Sequence, residues 1–211
     1  MKHKAFDRHR RPPNREPRRI YYLFCEGRNT EPGYFDALRQ TVRGALIEIQ
    51  SFPATGDPSA IAAAAVAHHK SVRRKSKNSF ERQDEVWAVF DRDNHAHYYD
   101  CIDSCRQSGV GVANSNPCFE LWLTLHIEEY HRDDGRQAVI KHLRKLRPDY
   151  DPTTKTMDFS DLIRTIDDAE RRGGILLKRR TEEQHGKNLG PPYTMVFELT
   201  RAIRKAAREA I

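Results

Sequence analysis

Residues 20–27 have the sequence IYYLFCEG, in which six apolar or aromatic residues are followed by an acid and a glycine. A short, uninterrupted apolar run that ends in a turn signal is typical of a strand buried on both faces of a parallel sheet. Residues 28–32, RNTEP, then favour a helix, because Thr30 suits the N-cap and Pro32 suits the first turn. Residues 20–43 are therefore predicted to form a strand, a turn and a helix.

The alternation of strand and helix continues to about residue 115. It predicts strands at 20–25, 45–52, 85–90 and 110–114, and helices at 31–43, 58–77 and 97–107. Strands that alternate with helices at short intervals indicate βαβ units and a parallel sheet. The later pattern predicts helices without a fifth core strand, at residues 118–130, 136–146, 159–172 and 193–210. The predicted fold class is α/β, a mostly parallel central sheet flanked by helices, with a helical C-terminal half.

The positive charge of the chain is concentrated at its start. The 211 residues have a formal net charge of +7, and residues 1–18 contain seven Lys or Arg, two acids and three prolines. Because prolines disfavour helix, we predict a disordered basic arm over residues 1–18 and a single domain over residues 19–211. A basic arm that follows phosphates favours DNA or RNA as a partner, although charge alone leaves open a solvated tail with no specific role.

The composition also argues against several classes of protein. Membrane helices need about 18 or more apolar residues in a row, and secretory signals need an apolar segment near the start. The chain has neither, and its four cysteines are unevenly spaced, which fits a reducing compartment better than a disulfide framework. We expect a cytoplasmic protein without a membrane partner. A kinase or NTPase is disfavoured, because no GxxxxGKS or GxxxxGKT loop is present.

Acidic residues follow two of the predicted strands. Glu26 comes directly after the first strand, and Asp91 and Asp93 end the third. Ligand sites of parallel sheets lie at the carboxyl ends of the strands, so we expect these acids at one edge and exposed, with Glu31 and Glu120 as further candidates. Carboxylate oxygens suit Mg²⁺ or Mn²⁺, which can promote phosphodiester cleavage. Each motif alone is equally compatible with a solvated loop.

Three segments together resemble the RloB-like family, in the order expected for that family. They are residues 25–35 (CEGRNTEPGYF), residues 86–93 (VWAVFDRD) and residues 115–122 (SNPCFELW). The resemblance extends over about residues 19–205. It implies a Toprim-like fold, as in topoisomerases, primases and overcoming-lysogenisation-defect nucleases. It further implies that Glu26 is catalytic and that Asp91 and Asp93 bind metal.

The resemblance also implies a biological setting. Members of the family are associated with phage defence and are often encoded beside an ABC/SMC-like ATPase. Two positions depart from the usual pattern: Arg28-Asn29 replaces an acid–lysine pair, and Phe197 lies near an expected histidine. The leading hypothesis is a Mg²⁺-dependent nuclease in antiviral defence, of the abortive-infection kind. The alternative is a non-catalytic nucleic-acid-binding or regulatory subunit of a defence ATPase, and the sequence leaves a homo-oligomer open.

The leading hypothesis gives each candidate residue a role. The acids assigned to catalysis are Glu26, Asp91, Asp93 and Glu120. The metal, Mg²⁺ or Mn²⁺, is assigned to Glu26, Asp91 and Asp93. The contacts with nucleic acid are assigned to basic residues of the arm and the domain, namely Arg10, Arg11, Arg18, Arg28, Arg73, Arg74 and Arg92.

Overall fold

A mostly parallel sheet forms the centre of the molecule. The structure is a computed structural model that describes residues 19–42, 45–51, 57–75, 83–92, 96–183 and 189–209. The strands within these residues are β1 (Arg19–Cys25), β2 (Ala45–Ser51), β3 (Glu85–Asp91), β4 (Gly111–Asn116) and β5 (Tyr193–Thr194). They form one sheet in the order β2-β1-β3-β4-β5, and β5 runs antiparallel to β4. The predicted fold class is confirmed.

Helices cover both faces of this sheet. In the described segments they are α1 (Thr30–Thr41), α2 (Pro58–Lys75), α3 (Tyr98–Gln107), α4 (Glu120–Leu125), α5 (Arg136–Leu146), α6 (Ser160–Ile163), α7 (Ile166–Glu183) and α8 (Val196–Glu209). Helices α2 and α3 pack on one face, and α1, α4, α7 and α8 pack on the other. None of the helices in the described part of the chain is long and apolar enough to cross a membrane.

Successive strand residues point to opposite faces of the sheet, and both faces are buried. In β3, Val89 packs into the core that contains α1 and α4, whereas Ala88 and Phe90 pack against α2 and α3. Asp91 lies two residues after Val89, so its side chain points to the same face of the sheet, towards α1 and α4. The alternation therefore decides which helices surround the acid at the end of β3.

Aromatic packing holds α1 and α4 together beneath that edge. Tyr34 of α1 makes edge-on ring contacts with Phe119 and Trp122. Each of these side chains is almost completely buried, and burial of one such ring contributes roughly 2–3 kcal/mol to folding. The Tyr34 hydroxyl donates to Nε2 of His126, 3.0 Å away, while Nδ1 of His126 donates to the Leu162 carbonyl. This polar link connects α1 with the end of α4 and with α6.

The structure corrects four details of the predicted elements. A fifth strand exists, but β5 has two residues, too few for any periodicity to show in the sequence. The helix predicted over residues 118–130 ends at Leu125, because the chain turns away to bury Tyr130. The helix predicted over residues 159–172 is divided into α6 and α7. Thr30 is the first residue of α1 rather than its N-cap, and its hydroxyl instead contacts a distant loop.

The described segments leave out part of what the sequence analysis covered. The proposed arm, with Arg10, Arg11 and Arg18, and the predicted metal ligand Asp93 lie outside them. The division into an arm and a single domain stays a prediction.

Candidate functional site

Glu26 and Asp91 meet at the carboxyl ends of β1 and β3. The two strands are parallel neighbours, with Cys25 paired to Val89. The backbone N–H of Glu26 continues this ladder by donating to the Val89 carbonyl at 3.0 Å. The Glu26 side chain then turns across the strand end, where its Oε2 accepts the backbone N–H of Asp91 at 3.0 Å. The predicted convergence of these two acids is therefore present.

Two further acids reach the same edge from the helices. Glu31, in the first turn of α1, accepts the backbone N–H of Gly27 through Oε1 at 3.3 Å. A side chain at Gly27 would collide with the Glu31 carboxylate, so glycine allows this close approach. Glu120, the first residue of α4, accepts the Tyr150 hydroxyl through Oε1 at 2.6 Å. We call Glu26, Glu31, Asp91 and Glu120 the carboxylate cluster.

The carboxylate cluster is more buried than the sequence suggested. The exposed fractions of Glu31, Asp91 and Glu120 are 5%, 7% and 2%. The expectation that Glu26 and Asp91 lie at exposed strand ends is therefore wrong for Asp91, whereas Glu26 is partly exposed. The reason is the second half of the chain, which lies over the edge. Arg136, the first residue of α5, places Nη2 2.9 Å from Oδ2 of Asp91, and Tyr150 covers Glu120.

Burial and mutual repulsion raise the pKa values of two of these acids. Burial is the main cause for Glu31, and the charges of Glu120 and Glu26 add to it, which raises its pKa to about 7. The pKa of Asp91 is raised well above its usual range, first by burial and then by the charge of Glu31, and Arg136 opposes this increase. Like charges close together disfavour ionisation, so the cluster needs positive charge to stay ionised at neutral pH.

A loop from the second half of the chain is attached to the start of α1. The Asn29 side chain donates to the Thr154 carbonyl at 2.6 Å, and the Thr30 hydroxyl donates to the Lys155 carbonyl at 3.0 Å. Lys155 adopts a positive φ of 54°, which is strained for a residue with a side chain. Its charge lowers the pKa of Glu31, so the loop brings a cation close to the carboxylate cluster.

The predicted nucleic-acid-binding arginines lie at two ends of the sheet. Arg28 is exposed and lies two residues beyond Glu26, and Arg92 directly follows Asp91. Arg73 and Arg74 are exposed near the end of α2. This helix runs back towards the amino ends of the strands, where its last residue, Lys75, shares a surface depression with Ile20 of β1. Arg28 and Arg92 therefore lie near the carboxyl ends of β1 and β3, where the Arg92 guanidinium contacts the Leu189 carbonyl and the Tyr99 ring. Arg73 and Arg74 lie towards the other end of the sheet.

The donor set of the carboxylate cluster fits a hard cation. Carboxylate oxygens are the ligands that Mg²⁺ and Mn²⁺ prefer, and a divalent ion would offset the repulsion that raises the pKa values of Glu31 and Asp91. Among the described residues, no three His, Cys, Asp or Glu side chains are arranged as ligands of one ion. Asp93, the third predicted ligand, lies outside those residues.

Sequence reasoning missed three residues that surround the cluster: Arg136, Tyr150 and Lys155. Arg136 and Tyr150 come from segments 45 and 30 residues away from their partners, Asp91 and Glu120. No spacing rule connects such distant positions, because only the packing of α5 and the loop brings them to the edge. Lys155 had a weak signal, since residues 151–156, DPTTKT, have the composition of a tight turn.

Comparison with known proteins identifies a family. The family model described as RloB-like protein matches residues 21–203, which include most of β1, the carboxylate cluster and most of α8. No curated protein and no solved structure matched the chain.

Proposed function

The chain belongs to the RloB-like family, and from this membership and the carboxylate cluster we propose that it is a metal-dependent nuclease. The observation that carries the proposal is the contact between Glu26 and Asp91, in which two acids from neighbouring strands share one edge. The sequence resemblance also implies a Toprim-like fold, in which a glutamate and an Asp-x-Asp pair occupy such an edge, and this expectation supports the same proposal. DNA and RNA are both candidate substrates.

In the proposed site, carboxylates bind the metal and arginines bind the phosphates of the substrate. Glu26 and Asp91, together with Asp93, would hold Mg²⁺ or Mn²⁺, which supplies polarisation of a phosphoryl oxygen and activation of water when bound. Glu120 stays oriented by the Tyr150 hydroxyl. Arg28 and Arg92 flank the two strand ends and would hold the phosphates on either side of the scissile bond, because guanidinium groups match phosphate oxygens in charge and geometry.

The setting in the cell is part of the proposal. The family resemblance favours a role in antiviral defence beside an ABC/SMC-like ATPase. The basic arm, residues 1–18, would add contacts with nucleic acid that do not depend on sequence.

One observation favours a second candidate function. The guanidinium of Arg136 already provides Asp91 with a positive partner at 2.9 Å, so the carboxylate cluster has some compensation for its charge without a metal ion. A protein that keeps the fold but not the chemistry would retain such a pair. It would then act as a nucleic-acid-binding or regulatory subunit of the ATPase.

A cleavage assay separates the two functions. Labelled single-stranded DNA, double-stranded DNA and RNA are incubated with the full chain in Mg²⁺, Mn²⁺ or EDTA. We expect cleavage that needs a divalent ion and is lost in Glu26→Gln and Asp91→Asn. The matched control is Asp100→Asn, because the Asp100 side chain is 79% exposed on α3. If the chain binds nucleic acid but cleaves it with neither Mg²⁺ nor Mn²⁺, the result would instead support the non-catalytic subunit.

A further inference from the structure

A cavity of about 450 Å³ lies between α3 and α7, next to the end of β4 that pairs with β5. Tyr99 and Arg106 of α3 form one wall, and Leu177 and Thr181 of α7 form the opposite wall. Asn114 of β4 lies at the bottom, where it is 1% exposed. The volume falls within the range of small-molecule sites, about 300–1,000 Å³. The cavity is thus large enough for one planar ring with its attached sugar and phosphate.

The bottom of the cavity has a polar group without a partner. Nδ2 of Asn114 lies 2.6 Å from the Tyr98 hydroxyl and 3.1 Å from the Tyr193 hydroxyl. Oδ1 of the same side chain is buried and has no hydrogen-bond partner among the described residues. An unsatisfied buried acceptor is unfavourable, so a ligand whose donor reaches the Asn114 amide would be stabilised.

One wall of the cavity contacts Arg92, the residue that directly follows Asp91. The carbonyl of Leu189, which lines the cavity, accepts hydrogen bonds from Arg92 Nη1 at 3.3 Å and from the Tyr99 hydroxyl at 3.4 Å. The Arg92 guanidinium also lies over the Tyr99 ring, 5.2 Å from its centroid. Since Arg92 directly follows Asp91, one arginine links the wall of the cavity to the carboxylate cluster.

The rim of the cavity carries charges of both signs. Arg106 and Asp103 are exposed lining residues of α3, one helical turn apart. Arg106 provides positive charge at the rim, and the Arg92 guanidinium lies behind the wall, against Leu189 and Tyr99. Guanidinium groups suit a phosphorylated ligand.

We propose that this cavity binds a single nucleobase with its phosphate, and thereby selects the nucleotide next to the site of cleavage. The base stacks on Tyr99, and its polar edge contacts the Asn114 amide. The phosphate lies near Arg92 and Arg106. Proteins that bind unpaired nucleotides commonly combine aromatic stacking with hydrogen bonds to the edge of the base. The proposal rests on the proposed nuclease function, and it names the part of the substrate that the protein recognises.

Binding without metal tests the cavity separately from cleavage. AMP, GMP, CMP and UMP are titrated into the full chain in EDTA, with ribose 5-phosphate as the ligand that lacks a base. We expect at least one mononucleotide to bind about tenfold more tightly than ribose 5-phosphate, because the base adds a stacking contact that ribose 5-phosphate lacks. Equal affinity for all five compounds would overturn the proposal.

Variants on α7 supply the matched control. Thr181→Trp fills the cavity from its exposed rim and is expected to abolish the preference for a base. Lys178→Trp places the same ring on the same helix at a side chain that is 77% exposed and outside the cavity, and should leave the preference unchanged. A folded Thr181→Trp protein that keeps the preference would contradict the proposed site.

A second arm identifies the source of the base. A five-nucleotide single strand is compared with the same strand that lacks its central base. A loss of affinity on removal of the base assigns the cavity to a substrate strand. Tight mononucleotide binding without such a loss would assign it to a free nucleotide and overturn the proposed role in selecting the substrate. Neither result depends on the carboxylates: Glu26→Gln should keep the binding preference even where it abolishes cleavage. A cavity that fails these tests in a protein that still cleaves would leave the nuclease proposal standing.

Discussion

At the residue scale, the carboxylate cluster has a free-energy cost that depends on pH. Glu31 and Asp91 are buried close to other acids, and Arg136 is the cation in direct contact with Asp91. A buried acid with a raised pKa holds its proton in the folded state at pH values where the unfolded chain has already released it. Protonated Glu31 therefore stabilises the folded state, and this contribution is complete below the pKa of Glu31 in the unfolded chain. It is lost as the pH rises towards the pKa of Glu31 in the folded state, about 7.

Glu31→Gln should therefore become more stable relative to the unmodified chain as the pH rises from 4.5 to 7.5. Glutamine still accepts the Gly27 N–H but cannot ionise, and the difference in free energy of unfolding should reach at most about 3 kcal/mol. The measurement is urea denaturation of both proteins in metal-free buffer. His126, whose pKa burial lowers to about 3, destabilises both proteins equally in acid and cancels in the comparison.

The exposed acid Glu182 provides the control for that comparison. Glu182→Gln removes a carboxylate that is 66% exposed on α7, and its effect on stability should not vary with pH. A Glu31→Gln effect that is equally flat would mean that Glu31 is not buried among like charges.

Single residues also show how far the site can be predicted from the sequence. Glu26 and Asp91 are predictable because a strand end is a local feature, and parallel strands place such ends at one edge. Arg136 and Tyr150 are not, because their contacts with the cluster depend on packing between segments far apart in the chain.

At the scale of elements, the start of α1 and the loop at 150–156 form one unit. Asn29 and Thr30 donate to the carbonyls of Thr154 and Lys155, and Tyr150 closes the other side through Glu120. The buried ring of Tyr150 anchors one end of the loop in the core, and the hydrogen bonds of Asn29 and Thr30 hold its other end near the start of α1.

Thr30→Val should loosen this loop while leaving the sheet intact. The side chain is 2% exposed, so valine fills the same space but leaves the Lys155 carbonyl without its donor, which costs about 1 kcal/mol. Hydrogen–deuterium exchange should become faster at residues 150–156. Thr41→Val is the control, because Thr41 donates only within α1, to the Leu38 carbonyl. Unchanged exchange in Thr30→Val would show that another contact holds the loop.

The elements differ in how well the sequence predicts them. β1, β3 and α5 have strong apolar patterns, and their predicted bounds agree with the structure to within one residue. β5 is too short for such a pattern, and its pairing with β4 depends on the return of the chain across the sheet. The end of α4 likewise reflects the burial of His126 and Tyr130 rather than helix propensity.

At the scale of the whole molecule, positive charge is distributed unevenly. Residues 1–18 contribute a net charge of +5 out of +7. Arg28 and Arg92 lie near the carboxyl ends of β1 and β3, whereas Arg73 and Arg74 lie towards the other end of the sheet. A strand of nucleic acid bound at the carboxylate cluster would therefore reach Arg28 and Arg92 before it reaches Arg73 and Arg74.

Deletion of residues 1–18 should weaken binding to all nucleic-acid sequences alike. Log affinity falls with log salt by about 0.7–0.9 per neutralised phosphate, so the truncated chain should also show a shallower salt dependence. Affinity is measured at several salt concentrations for full-length and truncated chains. The Arg73→Gln, Arg74→Gln double variant is the comparison, and should change the slope less. If log affinity falls with log salt at the same slope for the full and truncated chains, the arm does not contact phosphates.

The central claim is that Glu26 and Asp91 hold a divalent cation, and titration with Mn²⁺ tests it most directly. Free Mn²⁺ is followed by electron paramagnetic resonance at pH 7.5 in the full chain, in Glu26→Gln and in Asp100→Asn. The account predicts one saturable Mn²⁺ site in the full chain and in Asp100→Asn, and its loss in Glu26→Gln. A full chain that binds no Mn²⁺, or a Glu26→Gln variant that binds it with unchanged affinity, would contradict the account.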